Sequence, residues 1–303
     1  MSHMAVAVIT KEPPTNDVLH KHLQPFHDFG CTGINDEYVQ DINVTDAYRE
    51  EFNNATRTFY KSPDGKLYNP YMDMFYRDPT DEESEKIGSG YGSGCVGDIS
   101  YIRKEWNGGE YRPKVHYLPD GFTEVKLMCK DIMPFPNWLQ DSCGLRPLFE
   151  NEVPDLTESD NHKYGWYRVN LNGDVIEVIE RTNPNAQWDW WVIGGRYANR
   201  LYSKSAKNWC DYAIKSDIDW ELMYKENEKY MNENSDKLDE SAAKIAYALT
   251  VFAYIKDGKW YEKGNMGWWG VVTDEDNDWY HNLKTMFEEL PDDTWITIVD
   301  CHI

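Results

Sequence analysis

Ala5-Val-Ala-Val-Ile-Thr10 is an unbroken apolar run that stops at Lys11-Glu-Pro-Pro14, a tandem proline no central strand can contain. It reads as a buried first strand. Directly after it, Thr15-Asn16-Asp17 offers a helix cap, Val18, Leu19 and Leu23 follow at helical spacing, and Pro25 closes the turn. The far end of the chain repeats the strand signal in Thr294 to Val299, preceded by a short helical pattern from Asn282 to Leu290. Apolar strands at both termini imply one sheet assembled from the two ends. The expected class is α+β: a mixed, largely antiparallel sheet built from N- and C-terminal segments, with flanking helices and a large irregular insertion.

Working inward, the acidic stretch from Asp36 to Thr58 carries Asp46-Ala-Tyr-Arg-Glu-Glu-Phe52, spaced as one or two helical turns. Residues 61–98 hold Pro63, Pro70 and Pro79, the acidic run Asp81-Glu82-Glu83 and a cluster of glycines, so few regular elements fit. Ile99-Ser-Tyr-Ile102 and Thr123 to Cys129 alternate and suggest an antiparallel hairpin, and the proline-punctuated stretch Pro134 to Asp160 reads as loop. The expected organisation is therefore 1–60 as the N-terminal part of the core, 61–160 as the insertion, and 161–303 as the C-terminal part. In the last part, Asn172-Gly173 between half-alternating segments predicts a hairpin. The spacing over 217–248 predicts two helices, Ala248 to Tyr254 a strand turned at Asp257-Gly258 onto a partner from Trp260, and Met266 to Val272 a further apolar run.

In 303 residues, 53 Asp and Glu against 31 Lys and Arg give a formal net charge of -22. A surface of that sign repels nucleic acid and anionic lipid and favours basic partners, which argues against a direct nucleic-acid reader. With 41% hydrophobic and 15% aromatic residues the chain can bury a core, and no run has the length of a membrane-spanning helix. Six scattered cysteines without a CxxC pair give no zinc ribbon or thioredoxin-type site and suit a reducing compartment. Met1-Ser-His-Met4 resembles a cloning remnant, and on that reading His3 has no role.

The densest unusual segment is Asn183 to Arg196, with Trp188, Asp189, Trp190 and Trp191 followed by Gly194, Gly195 and Arg196. On an extended chain Trp188 and Trp190 share one face and Asp189 and Trp191 the other; the glycines permit close backbone approach, and Arg196 could clamp a carboxylate or phosphate. Such parts build a ligand pocket or an interface, or serve as core aromatics around a structural turn. A second set, His27, Cys31, Cys301 and His302, would form a four-ligand metal site or a Cys-His nucleophile pair oriented by Asp28 or Asp300 if the first and last strands are neighbours; a buried cysteine beside a hydrogen-bonded histidine is the plain alternative. The spacing fits no metal signature, and no metal is assigned. The cluster Gly88 to Gly97 lacks the Gly-Lys-Ser/Thr ending of a phosphate loop, so no cofactor is expected. Asp36-Glu37, Asp41 and Asp46 read as a solvated acidic face, with cation binding or acid/base work as the functional option.

Several of these segments belong together: Pro25 to Gly33 with Asp36-Glu-Tyr-Val39, Pro184 to Arg196, Lys263-Gly-Asn-Met-Gly-Trp-Trp-Gly270 with Trp268 and Trp269, and the terminal Val299-Asp-Cys-His-Ile303. They resemble a family of bacteriophage and prophage proteins carrying WDWW-IGGR and C-terminal VDCHI signatures; residues 61–160 have no counterpart in the likeness. Size, acidity and architecture are similar to the phage anti-Gabija inhibitors, which encase a bacterial Gabija defence complex and keep its nuclease off DNA. That resemblance implies a non-enzymatic, self-associating inhibitor in the host bacterial cytoplasm, whose partner is a host defence nuclease complex. It makes the Trp and Gly positions assembly or binding residues. The competing class is a small-ligand or nucleotide-signal binding or degrading protein that uses a Trp188–Arg196 pocket, with Arg196 pointing inward beside Arg200.

Overall fold

A computed structural model describes residues 2–87, 94–96, 99–107, 110–157, 162–223, 225–226, 251–267 and 271–303. The described chain forms two compact units, Met1–Ile42 with Glu180–Ile303, and Asn43–Ile179. The class is α+β with several mostly antiparallel sheets.

In the first unit the apolar N-terminal run becomes β1 (His3–Thr10), and the C-terminal run becomes β6 (Trp295–His302). The two pair antiparallel along their whole length, from His3 opposite His302 to Thr10 opposite Trp295. Between them in sequence lie β2 (Trp190–Ile193), β3 (Tyr212–Ile214), β4 (Ala253–Lys256) and β5 (Lys259–Glu262). The strand order is β2-β6-β1-β4-β5, with β3 pairing the first half of β6 beside β2; only β1 and β4 run parallel. The β4–β5 turn places Asp257 and Gly258 at φ 52° and 73°, the double left-handed conformation a two-residue hairpin needs.

Both faces of this sheet are covered, which is why β1 has no polar break. Met4, Val6 and Val8 face Leu19 and Leu23 of α1 (Asn16–Leu23), with Phe26, Val299 and Cys301. Ala5, Ala7 and Ile9 face Trp279, Leu283, Met286 and Phe287 of α2 (Trp279–Glu289), with Ile296 and Ile298. Each fully buried leucine here contributes about 1.5–3 kcal/mol of transfer free energy. Thr15 caps α1 by accepting the Val18 amide at 3.2 Å. His3 is a strand residue of β1, paired across from His302.

In the second unit, helix Thr45–Asn54 begins at the acidic segment with Asp46 in its first turn, where the helix dipole favours a carboxylate. It packs Tyr48 and Phe52 against Phe135, Trp138 and Leu139 of helix Phe135–Cys143, over a core containing Tyr167, Val169 and Val178. The Pro134 to Asp160 stretch is thus not simply loop: Pro136 sits in the first turn of that helix, where its missing N–H costs nothing, and Gly144 at φ 70° ends it. Strand Arg146–Phe149 follows. One sheet has the order Leu67–Tyr68, Thr56–Lys61, Thr123–Met128; another runs Tyr76–Arg77, Glu110–His116, Ile99–Asn107, Gly94–Val96. The hairpin partner of Ile99–Asn107 is therefore Glu110–His116, and Thr123–Met128 pairs with Thr56–Lys61. Alternation fixes which way side chains point, not which strand lies alongside. The Asn172-Gly173 hairpin forms between Gly165–Val169 and Val175–Thr182, its turn closed by the Asn170 amide on the Asp174 carbonyl at 3.0 Å, with Gly173 at φ 85°. Most of the helical expectation over 217–248, and most of the Gly88 to Gly97 cluster, lies outside the described residues.

Candidate functional site

The segment Trp188–Arg196 enters the first sheet as β2, but its alternation starts only at Trp190. Trp188 bridges to His27 before the strand begins and is buried at 4% exposure, its indole N–H donating to the Leu23 carbonyl at 2.9 Å. Trp191 packs half-buried against the same cluster. Trp188 and Trp190 therefore do not share a face; Trp190 lies on the other side, 43% exposed, which removes it from the core. Its ring stacks on His302 at 5.1 Å and meets His3 edge-on at 5.3 Å, forming a row across β2, β6 and β1.

Two carboxylates hold that row. His3 Nδ1 lies 2.8 Å from Asp300, whose side chain is 2% exposed, and His302 Nδ1 lies 2.7 Å from Asp189. Gly194 and Gly195 sit at φ 68° and 53°, and acids lie close against both: a Cβ at Gly194 would come within 2.7 Å of the Asp211 carboxylate, and one at Gly195 within 2.6 Å of Asp300. The amides beyond the turn then bind these acids, Arg196 N on Asp300 Oδ2 at 2.9 Å and Asn199 N on Asp211 Oδ1 at 2.5 Å. The paired glycines are thus a backbone cradle for carboxylates of the protein itself. Arg196 is exposed, and Arg200, also exposed, lies over the Tyr197 ring at 5.5 Å. Trp268 and Trp269 lie outside the described residues.

The set His27, Cys31, Cys301 and His302 does not converge as metal ligands: no group of three or more ligand side chains is placed to hold a metal among the described residues. His27 is fully buried, and both ring nitrogens are engaged. The Thr32 hydroxyl gives its proton to the Asp28 carbonyl and so accepts from His27 Nδ1 at 2.9 Å, while Nε2 faces Asp36 at 3.2 Å. Burial pushes the Asp36 carboxyl up, but hydrogen bonds from Gln24, the Tyr38 amide and His27 outweigh it and hold the group below its ordinary range. Cys301 lies wholly in the core; burial first, then Asp300 and Asp189, raise its thiol far above the usual value. Cys31 is exposed, yet partial burial, Asp28 and Asp189 also push its thiol up. A thiol among carboxylates is kept protonated, the reverse of what a nucleophile needs. Asp41, read as part of an acidic face, pairs with buried Arg181 at 2.8 Å, so this acid is structural.

What the fold does assemble is a cavity of about 320 Å³ on the Trp188 side of the sheet. Trp188, Phe252 and Met266 give it an apolar lining, Asp28, Asp189 and Glu262 supply carboxylates, Cys31 also reaches it, and no Lys or Arg lines it among the described residues. Glu262 also accepts the Trp260 indole N–H at 3.0 Å. Phe252 and Glu262 carried no local sequence signal, since strand pairing alone brings them to Asp28 and Asp189, which are far away in sequence. No protein-family model, curated protein or solved structure matches this chain.

Proposed function

We propose that the chain is a bacteriophage-encoded acidic inhibitor that binds a bacterial anti-phage defence complex of the Gabija-like nuclease type and blocks its engagement or cleavage of DNA. The observation that supports this reading best is a cavity lined by three carboxylates and, among the described residues, by no Lys or Arg, on a chain of net charge -22 that also exposes Trp190 on the other side of the sheet. An apolar floor under three acids suits the aliphatic stem and charged head of a partner lysine or arginine, the residues with which a nuclease holds phosphate. Duplex DNA carries one negative charge per roughly 1.7 Å of axis, so 22 negative charges match about 40 Å of duplex and compete for one basic cleft on the same electrostatic terms. Exposed Trp190 supplies the aromatic anchor that interfaces use as a hot spot. Self-association around the partner and action in the host cytoplasm belong to the same proposal.

The exposure of Arg196 and the three acids around the cavity favour a cationic partner over an anionic nucleotide at this position. The test is affinity purification of the tagged protein from a bacterium that expresses a Gabija-type complex, with mass spectrometry and light scattering. A stoichiometric nuclease complex with several copies of the chain is the expected result. A monomer that retains no protein but carries a nucleotide would overturn the reading.

A further inference from the structure

The second unit contains a larger cavity, about 730 Å³, within the range of small-molecule sites. One wall is the sheet of Thr56–Lys61 and Thr123–Met128, where Thr58 pairs with Lys126 and Tyr60 with Glu124. Strand alternation puts Thr56, Thr58 and Tyr60 on one face with Glu124 and Lys126. Arg57 also borders the cavity, but its guanidinium is turned to Ser142 at 2.9 Å and to Asp141 at 3.6 Å, which offsets its charge. The opposite wall brings Asn69, Tyr71, Tyr76 and His116.

The chemistry of these walls narrows the ligand. His116 Nε2 lies 3.1 Å from the Pro70 carbonyl and 3.3 Å from the Tyr60 hydroxyl; the carbonyl can only accept, so Nε2 carries the proton, and in the neutral ring Nδ1 is then a lone-pair acceptor for which the described residues supply no partner. The Tyr71 side of the wall is pinned by its amide on Asn69 Oδ1 at 2.9 Å, yet Tyr71 is 71% exposed. The charged residues bordering the cavity are Arg57, Glu124 and Lys126; Arg57 is paired with Asp141, and the exposed Glu124 and Lys126 are one of each sign, so a strongly charged ligand finds no net counter-charge. An apolar ligand would bury the Thr58 hydroxyl, the Tyr71 hydroxyl and His116 Nδ1, for which the described residues supply no partner. A ring with an apolar C–H face and a hydroxyl edge satisfies both requirements.

We propose that this cavity binds a short neutral carbohydrate, stacked on Tyr71 and hydrogen-bonded by the surrounding hydroxyl, amide and imidazole groups. The site lies within the second unit and does not rest on the inhibitor reading, so failure of either leaves the other standing. The test is calorimetric titration of the full chain with hexose and N-acetylhexosamine trisaccharides (maltotriose, cellotriose, chitotriose), with adenosine monophosphate and free lysine as charged comparators. Saturable binding of at least one trisaccharide is expected, weakened roughly tenfold or more by Tyr71→Ala, with the thermal midpoint unchanged because Tyr71 is exposed. Thr58→Val, which removes a hydroxyl and preserves shape, is expected to weaken the same sugar. No trisaccharide binding at about 10 mM, binding that both variants leave unchanged, or binding of a charged comparator alone would overturn the proposal.

Discussion

Replacing Gly195 by Ala tests the reading of the glycine pair as a cradle for carboxylates. At φ 53° an alanine pays the left-handed penalty, about 1–2 kcal/mol. Its Cβ would also sit 2.6 Å from Asp300 Cβ and Oδ2 and 2.8 Å from Val192 Cγ1. Asp300 cannot easily yield, because Arg196 N and His3 hold its two oxygens at 2.9 and 2.8 Å. Overpacking of this kind costs about 1–3 kcal/mol, so the total is about 2–5 kcal/mol. Gly258 is the internal control: it lies in the same unit at φ 73°, but a Cβ there meets nothing within 4 Å, so Gly258→Ala pays only the about 1–2 kcal/mol conformational cost. Urea unfolding followed by tryptophan fluorescence reads the difference. With a slope of about 1–3 kcal/mol/M, Gly195→Ala should unfold roughly 1 M earlier than Gly258→Ala. Equal midpoints for the two variants would refute the close-approach argument.

The two tryptophans of β2 and its approach should separate stability from binding: Trp188→Ala is expected to cost about 3–5 kcal/mol and Trp190→Ala, which loses one exposed stack, about 0.5–1.5 kcal/mol, read by the same denaturation assay. Helix Asp81–Ile87 starts with a reciprocal cap, the Thr80 amide on Glu83 at 2.8 Å and the Glu83 amide on the Thr80 hydroxyl at 3.2 Å, while Arg77 bonds the same carboxylate. The Arg77 hydrogen bonds, followed by the Thr80 amide, lower the Glu83 pKa from 4.5 to about 2. A depressed carboxylate stabilises the folded state above its unfolded value and loses that contribution as pH falls from 4.5 toward about 2. Glu83→Gln should therefore narrow the gap in thermal midpoint between neutral pH and pH about 3, as scanning calorimetry would show; an unchanged gap would contradict the assignment. Among the described cysteines, iodoacetamide should label exposed Cys31 first and leave buried Cys129 and Cys301 unmodified until unfolding, which peptide mass spectrometry would resolve; labelling of Cys301 in the folded protein would contradict its burial.

The terminal strands were legible because burial on both faces leaves an unbroken apolar run, and α1 and the β4–β5 turn because their cap and glycine act locally. Strand partners were not. Ile99–Asn107 and Thr123–Met128 both alternate, and the sequence carries no mark of which neighbour each takes. The tryptophan segment misled for a different reason: the chain bends between Trp188 and Trp190, since Trp188 is drawn to the Leu23 carbonyl and His27 before the strand begins. Nor could spacing show that the acids beneath Gly194 and Gly195 are Asp211 and Asp300, the latter more than a hundred residues away. The candidate cavity is a product of pairing in the same sense, with Asp28, Asp189 and Glu262 meeting only once β2, β6, β1, β4 and β5 are in order.

The central claim, an acidic inhibitor of a basic defence nuclease, is tested most directly by a DNA-cleavage assay with a purified Gabija-type complex, titrated with this protein at several salt concentrations. The account predicts that cleavage is abolished at a fixed stoichiometry, that inhibition weakens as salt rises, and that Trp190→Ala or a combined Asp28→Asn, Asp189→Asn and Glu262→Gln variant inhibits less while remaining folded. Cleavage that proceeds unchanged at every ratio, with no complex by light scattering, would contradict it.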